Sequence, residues 1–214
     1  MVEKNILIVG ASGQISQEAI QLLLDETNHH LTLFLRNKSK LMDINNNQRI
    51  TVIEGDATDE STLIEALSDI DIVFASLAGN IDEQARAIVS AMESKNVKKL
   101  IFVTALGIYD EVPGAFGKWN NENIGPYLPP YKKAADIIEQ SILDYTILRP
   151  AWLTNYDEID YETTGKEENF KGTEVSRKSV AALGLQIIQD NSLYSKESIG
   201  VNKPNTDGNK PQWL

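Results

Sequence analysis

Residues 5–13, Asn5-Ile-Leu-Ile-Val-Gly-Ala-Ser-Gly13, join an apolar, strand-like run to two glycines. If a helix opens at this turn, its first backbone N–H groups are unpaired and carry the positive end of the helix dipole, which suits a pyrophosphate. Gly10 permits the tight turn, and Gly13 lets the backbone approach phosphates without an intervening Cβ. Ser12, Gln14 and Ile15 belong to the same candidate cradle. The pattern continues as Gly10-x-x-Gly13-x-x-Ser16, with serine where the usual fingerprint has a third glycine. Serine is small enough to keep most of the close helix–strand packing that glycine serves there. The glycines alone also fit an ordinary strand–turn–helix connection. Arg36 follows Gly10 by 26 residues, at the end of the next apolar run. An acidic residue there would bond the adenosine ribose of NAD, whereas arginine suits a 2′-phosphate. Its guanidinium can pair with phosphate and stack on adenine. Lys38 and Lys40 add charge beside it, although a solvated basic turn is the alternative. The expected cofactor is NADP(H), with NAD(H) as the alternative.

The elements that must hold these residues alternate between strand and helix. Strands are expected at Asn5–Val9, Leu31–Leu35, Ile50–Glu54, Asp71–Ala75, Lys99–Thr104 and Tyr145–Leu148, and the last apolar stretch, Ser198–Val201, is a candidate final strand. Helices are expected at about Gln14–Asp25, Ser61–Leu67, Ile81–Lys95, from Pro129-Pro130 to about Ser141, and Arg177–Gln189. Thr58 or Asp59 is placed to cap the second of these, and Ser176 the last. This order implies a doubly wound parallel sheet in a three-layer α/β/α arrangement, forming a single domain over residues 1–214. Ligands of such sheets bind outside the carboxyl ends of the strands. Gly10, Arg36, Asp56, Ser76–Gly79, Thr104 and Arg149 all fall at such ends. Asp56 could accept from the adenine amino group with Ala57 donating its N–H, or it could simply cap the next helix. Leu77, Ala78 and Gly79 are further candidate cofactor contacts. Residues about 107–130 are expected to be a long irregular loop, which with residues about 150–175 would form the substrate side.

Composition narrows the function classes. The 214 residues include 31 acidic and 20 basic side chains, a formal charge of −11. That disfavours nucleic acid or an anionic membrane as partner, since phosphate contacts need clustered Lys and Arg. No apolar run approaches the ~18 residues that span a bilayer, and Ile6–Val9 is too short for a signal-peptide core, so a cytoplasmic location is expected. The chain has no cysteine, which removes thiol nucleophiles, disulfides and thiolate metal sites. His29-His30 are adjacent on an extended chain and point to opposite faces, so no metal is expected there. The acidic run from Tyr156 to Glu168 lacks calcium-loop spacing and reads as a solvated loop. Trp119 and Trp152 suit either a planar-ligand pocket or lid packing.

Several segments resemble, in order, the NmrA-like, NAD(P)-binding group of atypical short-chain dehydrogenases/reductases: Ile8-Val-Gly-Ala-Ser-Gly-Gln14, Phe34-Leu-Arg36, Gly55-Asp-Ala-Thr-Asp59, Lys99-Leu-Ile-Phe-Val103 and Leu143-Asp-Tyr-Thr-Ile-Leu-Arg-Pro150. Ile108–Gly114 and Ser176–Val180 also look like small bacterial members. The resemblance spans nearly the whole chain and implies a Rossmann-type fold. It does not name a reaction, because the group holds both reductases and cofactor-sensing regulators. Reductases of the wider superfamily use a Tyr-x-x-x-Lys pair and a hydroxyl after the fifth strand. By resemblance Lys132 is the lysine, which also contacts the cofactor, but Leu128 stands four residues earlier. Tyr127 is one position off, Tyr131 is adjacent, and Tyr109 is a further potential donor. The family register puts Ala105 at the hydroxyl position, with Thr104 one place early. The candidate catalytic residues are therefore Lys132, Tyr127 and Thr104, and Arg149 is expected to be structural. The expected function is an NADP(H)-dependent reductase of a flavin, quinone or small conjugated carbonyl. The alternative is a non-catalytic NADP(H)-binding redox sensor acting through a protein partner; a homo-oligomer is also compatible with the sequence.

Overall fold

Alternate residues of each central strand enter two different cores. The computed structural model describes residues 2–41 and 47–214. In β1 (Asn5–Val9), Ile6 and Ile8 join one core while Leu7 and Val9 join the other. A strand covered on both faces requires this, because its side chains alternate with a period of two. β4 (Ile72–Ser76) and β5 (Lys99–Val103) divide in the same way, with Phe74 and Ile101 on one side and Val73 and Phe102 on the other. The remaining strands are β2 (His30–Leu35), β3 (Ile50–Glu54), β6 (Asp144–Pro150), β7 (Trp152–Thr154), β8 (Glu162–Thr164), β9 (Glu174–Ser176) and β10 (Glu197–Asn202).

The main sheet has the order β3-β2-β1-β4-β5-β6-β10-β8, and β7 pairs with β9 apart from it. Every neighbour in the main sheet is parallel except β8, which runs antiparallel to β10. Helices α1 (Gln14–Glu26) and α6 (Arg177–Gln189) pack together over one face; α2 (Glu60–Ala66), α3 (Ile81–Ser94) and α5 (Leu128–Glu139) cover the other. The result is the expected Rossmann-type α/β/α domain. Among the described residues, no helix is long and apolar enough to cross a membrane. Val9 lies level with Phe34 and Ala75, Ser76 with Val103, and Val103 with Leu148. The carboxyl ends of five strands therefore line one edge, with the switch in chain direction between β1 and β4.

Two expectations need correction. Residues 107–130 are not an irregular loop: they contain α4 (Gly114–Ile124) and a 3-10 turn at Gly125–Tyr127 that runs into α5. The sequence Gly-Ala-Phe-Gly-Lys-Trp-Asn-Asn-Glu-Asn-Ile is rich in poor helix formers, so its helicity rests on tertiary packing. Trp119 stacks near Phe116 and lies 4.7 Å from the Trp152 ring, whose Nε1 donates to Asn120 Oδ1 at 2.9 Å. Both tryptophans thus serve packing between segments. The acidic run 156–168 is likewise partly ordered by pairing: it contains β8, and Glu158 accepts from Lys203 Nζ at 2.7 Å. Both caps are as expected, with Asp59 accepting from the N–H groups of Ser61 and Thr62, and Ser176 accepting from that of Ser179.

Candidate functional site

The glycine turn after β1 is held by its own backbone. Gly10 N–H donates to Phe34 O at 2.9 Å, and Gly13 N–H returns to Gly10 O at 2.9 Å. Gly10 has φ +81°, and a Cβ there would collide with the carbonyl oxygen of Ser76. A Cβ on Gly13 would lie 3.2 Å from Gly10 O. Gly10 is therefore required by its positive φ and the close approach of Ser76 O, while a Cβ at Gly13 would be a tight contact. Gly13 is the N-cap of α1 and supplies no side-chain cap. The N–H groups of the first helical turn consequently point outward without an internal acceptor. Bare donors, a positive dipole end and no Cβ between them and the cavity are the features that a diphosphate needs.

Ser16, at the place of the third glycine, is fully buried, and its Oγ has no hydrogen-bond partner among the described residues. A buried hydroxyl of this kind contributes desolvation cost without a compensating bond. Ser16→Ala is expected to leave stability unchanged or raise it by about 1 kcal/mol, seen as an equal or higher midpoint in a urea titration. A lower midpoint would reveal a partner for the hydroxyl.

A cavity of about 470 Å³ runs along the carboxyl edge of the sheet from this turn. Gly10, Ser12, Gly13, Gln14 and Ile15 form its centre, Arg36, Asn37, Lys40 and Ala57 one end, and Leu77, Ala78, Gln84 and Thr104 the opposite wall. Arg36 and Lys40 are exposed at that first end. Asp56 and Gly79 are not lining residues. Asp56 Oδ1 instead accepts from Thr58 N at 2.9 Å and Thr58 Oγ1 at 2.8 Å, which, with Arg36 nearby, holds its carboxyl below the usual range. It forms a local turn; the cap of α2, the alternative role read for Asp56 in the sequence, is taken by Asp59 instead.

The candidate chemical groups separate. Thr104 lines the cavity, but its Oγ1 donates to Leu148 O at 3.1 Å, so its proton is committed to β6. Lys132 is outside the lining; its Nζ pairs with Asp136 Oδ1 at 2.5 Å and lies 5.4 Å from the centre of the Tyr109 ring. Tyr127, in the 3-10 turn, is 69% exposed and also outside the lining. Tyr131 does line the cavity, half-buried on the first turn of α5, and burial raises its pKa. One turn of helix thus carries Lys132 away from the cavity and Tyr131 into its wall. Tyr109 is packed away from the lining, its hydroxyl donating to Glu139 Oε1 at 2.7 Å.

Beyond Tyr131, the wall gains Pro150, Leu153 and Arg177, none of which stood out as cavity residues in the sequence. Leu153 and Arg177 become neighbours only because β7 pairs with β9 at the entrance to α6. Arg149, by contrast, is fully buried: it pairs through Nη1 with Glu111 Oε1, and Nε donates to Ser198 Oγ at 3.1 Å. That agrees with the structural role expected of it.

A family model described as NAD(P)H-binding matches residues 10–191. A solved short-chain dehydrogenase/reductase from Veillonella parvula DSM 2008, in complex with NADP, is 34% identical with a TM-score of 0.94, over 99% of this chain and 100% of that one. A Rossmann-fold NAD(P)-binding family protein from Shigella flexneri is 44% identical with a TM-score of 0.85, over 100% of both chains. An uncharacterized sugar epimerase of Bacillus subtilis (strain 168) is 26% identical over 203 residues, covering 89% of this chain and 91% of that protein.

Proposed function

The chain belongs to the NAD(P)H-binding family, and from that membership we propose that it is an NADP(H)-dependent reductase of a flavin, a quinone or a small conjugated carbonyl. The observation that carries this reading is the continuous cavity from Arg36 and Lys40, past the uncapped start of α1, to Tyr131. The N–H groups of the α1 start and the Gly10–Gly13 turn would hold the diphosphate. Arg36, with Lys40 beside it, would take the 2′-phosphate; the NADP complex of the Veillonella relative supports that preference. Leu77, Ala78 and Thr104 would border the nicotinamide half. Bound nicotinamide supplies hydride chemistry.

In this reading the proton source is Tyr131 rather than Tyr127. Tyr131 is the cavity-lining phenol, and burial raises its pKa above the ordinary phenol value. Thr104 can only accept a hydrogen bond toward the cavity, since its proton is given to Leu148 O. Lys132, held by Asp136, would act at most through the field it adds near Tyr109. Tyr131→Phe is expected to lower kcat for a carbonyl acceptor about tenfold, less than a positioned acid usually contributes because water can replace it, with the NADPH Kd unchanged. An unchanged kcat would assign the proton to solvent.

The same commitments of Thr104 and Lys132 favour a second reading, a redox sensor that binds NADP(H) without turnover. Oxidation of NADPH, followed at 340 nm with flavins, quinones and conjugated carbonyls, separates the two. Turnover with any acceptor class supports the reductase. Micromolar cofactor binding with no acceptor reduced would support the sensor.

A further inference from the structure

Besides Arg36 and Lys40, one further cation among the described residues lines the cavity, Arg177. It opens α6 directly after the Ser176 cap and is half-buried. Its Nη1 donates to Asn155 Oδ1 at 2.7 Å and to Leu153 O at 3.4 Å, both neutral acceptors. Among the described residues, no carboxylate lies within ion-pair distance of it. Arg149, which is fully buried, has Glu111 as its counter-ion. A guanidinium moved partly out of water without a counter-ion costs free energy, and burial does act against its charge. A guanidinium held through Nη1 by neutral acceptors, on a residue that lines a ligand cavity, can receive an anion there.

Resting on the reductase reading above, we propose that Arg177 recognises a carboxylate on the acceptor, so that the substrate is an acidic conjugated compound rather than a neutral one. Its place along the sheet favours the acceptor over the cofactor as the source of that anion. Pro150, which ends β6, and Leu153, in β7 just after it, line the cavity with Arg177, whereas the diphosphate cradle lies at β1 and β4, with β5 between. The two cations at Arg36 and Lys40 already serve the adenosine end. Thr104, which follows β5, and Tyr131 line the same cavity, and a reacting double bond would sit beside them. The acceptor would therefore lie with its acidic end on Arg177 and its conjugated part near the Tyr131 hydroxyl.

The test uses trans-cinnamate and its neutral isostere cinnamamide, titrated calorimetrically into the full-length protein with and without saturating NADPH. Cinnamate is expected to bind the NADPH-loaded wild type about tenfold more tightly than cinnamamide, the scale of one charge-assisted contact. Arg177→Gln should erase that preference, and Arg177→Lys, which keeps the charge on a narrower head group, should retain part of it. Both variants should melt within a few degrees of wild type, and Arg177→Lys keeps the comparison valid if the Gln variant does not. Equal binding of acid and amide by the wild type, or a preference that survives Arg177→Gln, would overturn the proposal. So would a tenfold loss of NADPH affinity in Arg177→Gln with the acid preference intact, which would assign the guanidinium to the cofactor diphosphate. Failure of the reductase reading shows separately, as wild-type protein that binds NADPH yet oxidises it with no acceptor, whether or not the acid preference is present.

Discussion

Arg36→Glu weakens NADPH binding by about 10²-fold, the loss expected when a charge-assisted contact of ~1.5–3 kcal/mol is replaced by repulsion. NADH binding stays within a few-fold or improves, because a carboxylate at the end of β2 can bond the free ribose hydroxyls. The asymmetry follows from position: Arg36 and Lys40 line the same end of the cavity, and both are exposed. Exposure also makes the contact sensitive to salt, with NADPH affinity falling faster than NADH affinity between 0.05 and 0.5 M salt as the Debye length shortens below about 10 Å. Quenching of tryptophan fluorescence, or the shift in melting temperature on titration, reads both cofactors in wild type and variant. Parallel loss of NADPH and NADH affinity would sink the assignment of Arg36 to the 2′-phosphate.

Glu111→Ala costs about 3–5 kcal/mol of folding free energy, the usual penalty for removing one partner of a buried ion pair. Glu111 is 8% exposed and Arg149 is fully buried. One carboxylate oxygen accepts from Arg149 Nη1 and from Gly107 N at 3.0 Å, and the other from Tyr109 N at 2.9 Å. Removing it strands a buried guanidinium and two backbone donors together. For a chain of this length, each kcal/mol lowers the melting temperature by about 2–4 °C, so a fall of roughly 10 °C is expected. Arg149→Met in the same chain should recover a substantial part of that loss, since it removes the stranded charge. A single-variant loss below about 1 kcal/mol would mean that the pair is open to water. The consequence reaches function because Glu111 ties the segment before α4 to β6, whose end supplies Pro150 to the cavity.

The strands and helices of this protein are legible because their signals are local. An apolar run bounded by Gly10, an i, i+4 stripe such as Ile15, Ala19 and Leu23, and caps such as Asp59 and Ser176 each depend on a few consecutive residues. The candidate diphosphate cradle is equally local, since strand end, turn and helix start are contiguous, and strand ends fall on one edge of any parallel sheet. α4 escaped for the opposite reason: its helicity depends on Trp152 and Asn120 meeting across the fold. Asp56 was read as an adenine contact or a helix cap; the cap is Asp59, and Asp56 bonds to Thr58 instead.

By itself, then, the amino-acid order determined the layered fold, the cofactor turn and the cation at the end of β2. Tertiary structure alone decided which tyrosine faces the cavity, since Tyr127 and Tyr131 stand one turn apart and only the seating of α5 against α3 and the sheet orients them. It alone brought Leu153 and Arg177, 24 positions apart, onto one wall through the β7–β9 pairing. Short-range periodicity reports which face of an element is apolar; which distant side chains converge depends on the packing of whole elements, a property that no window of consecutive residues contains.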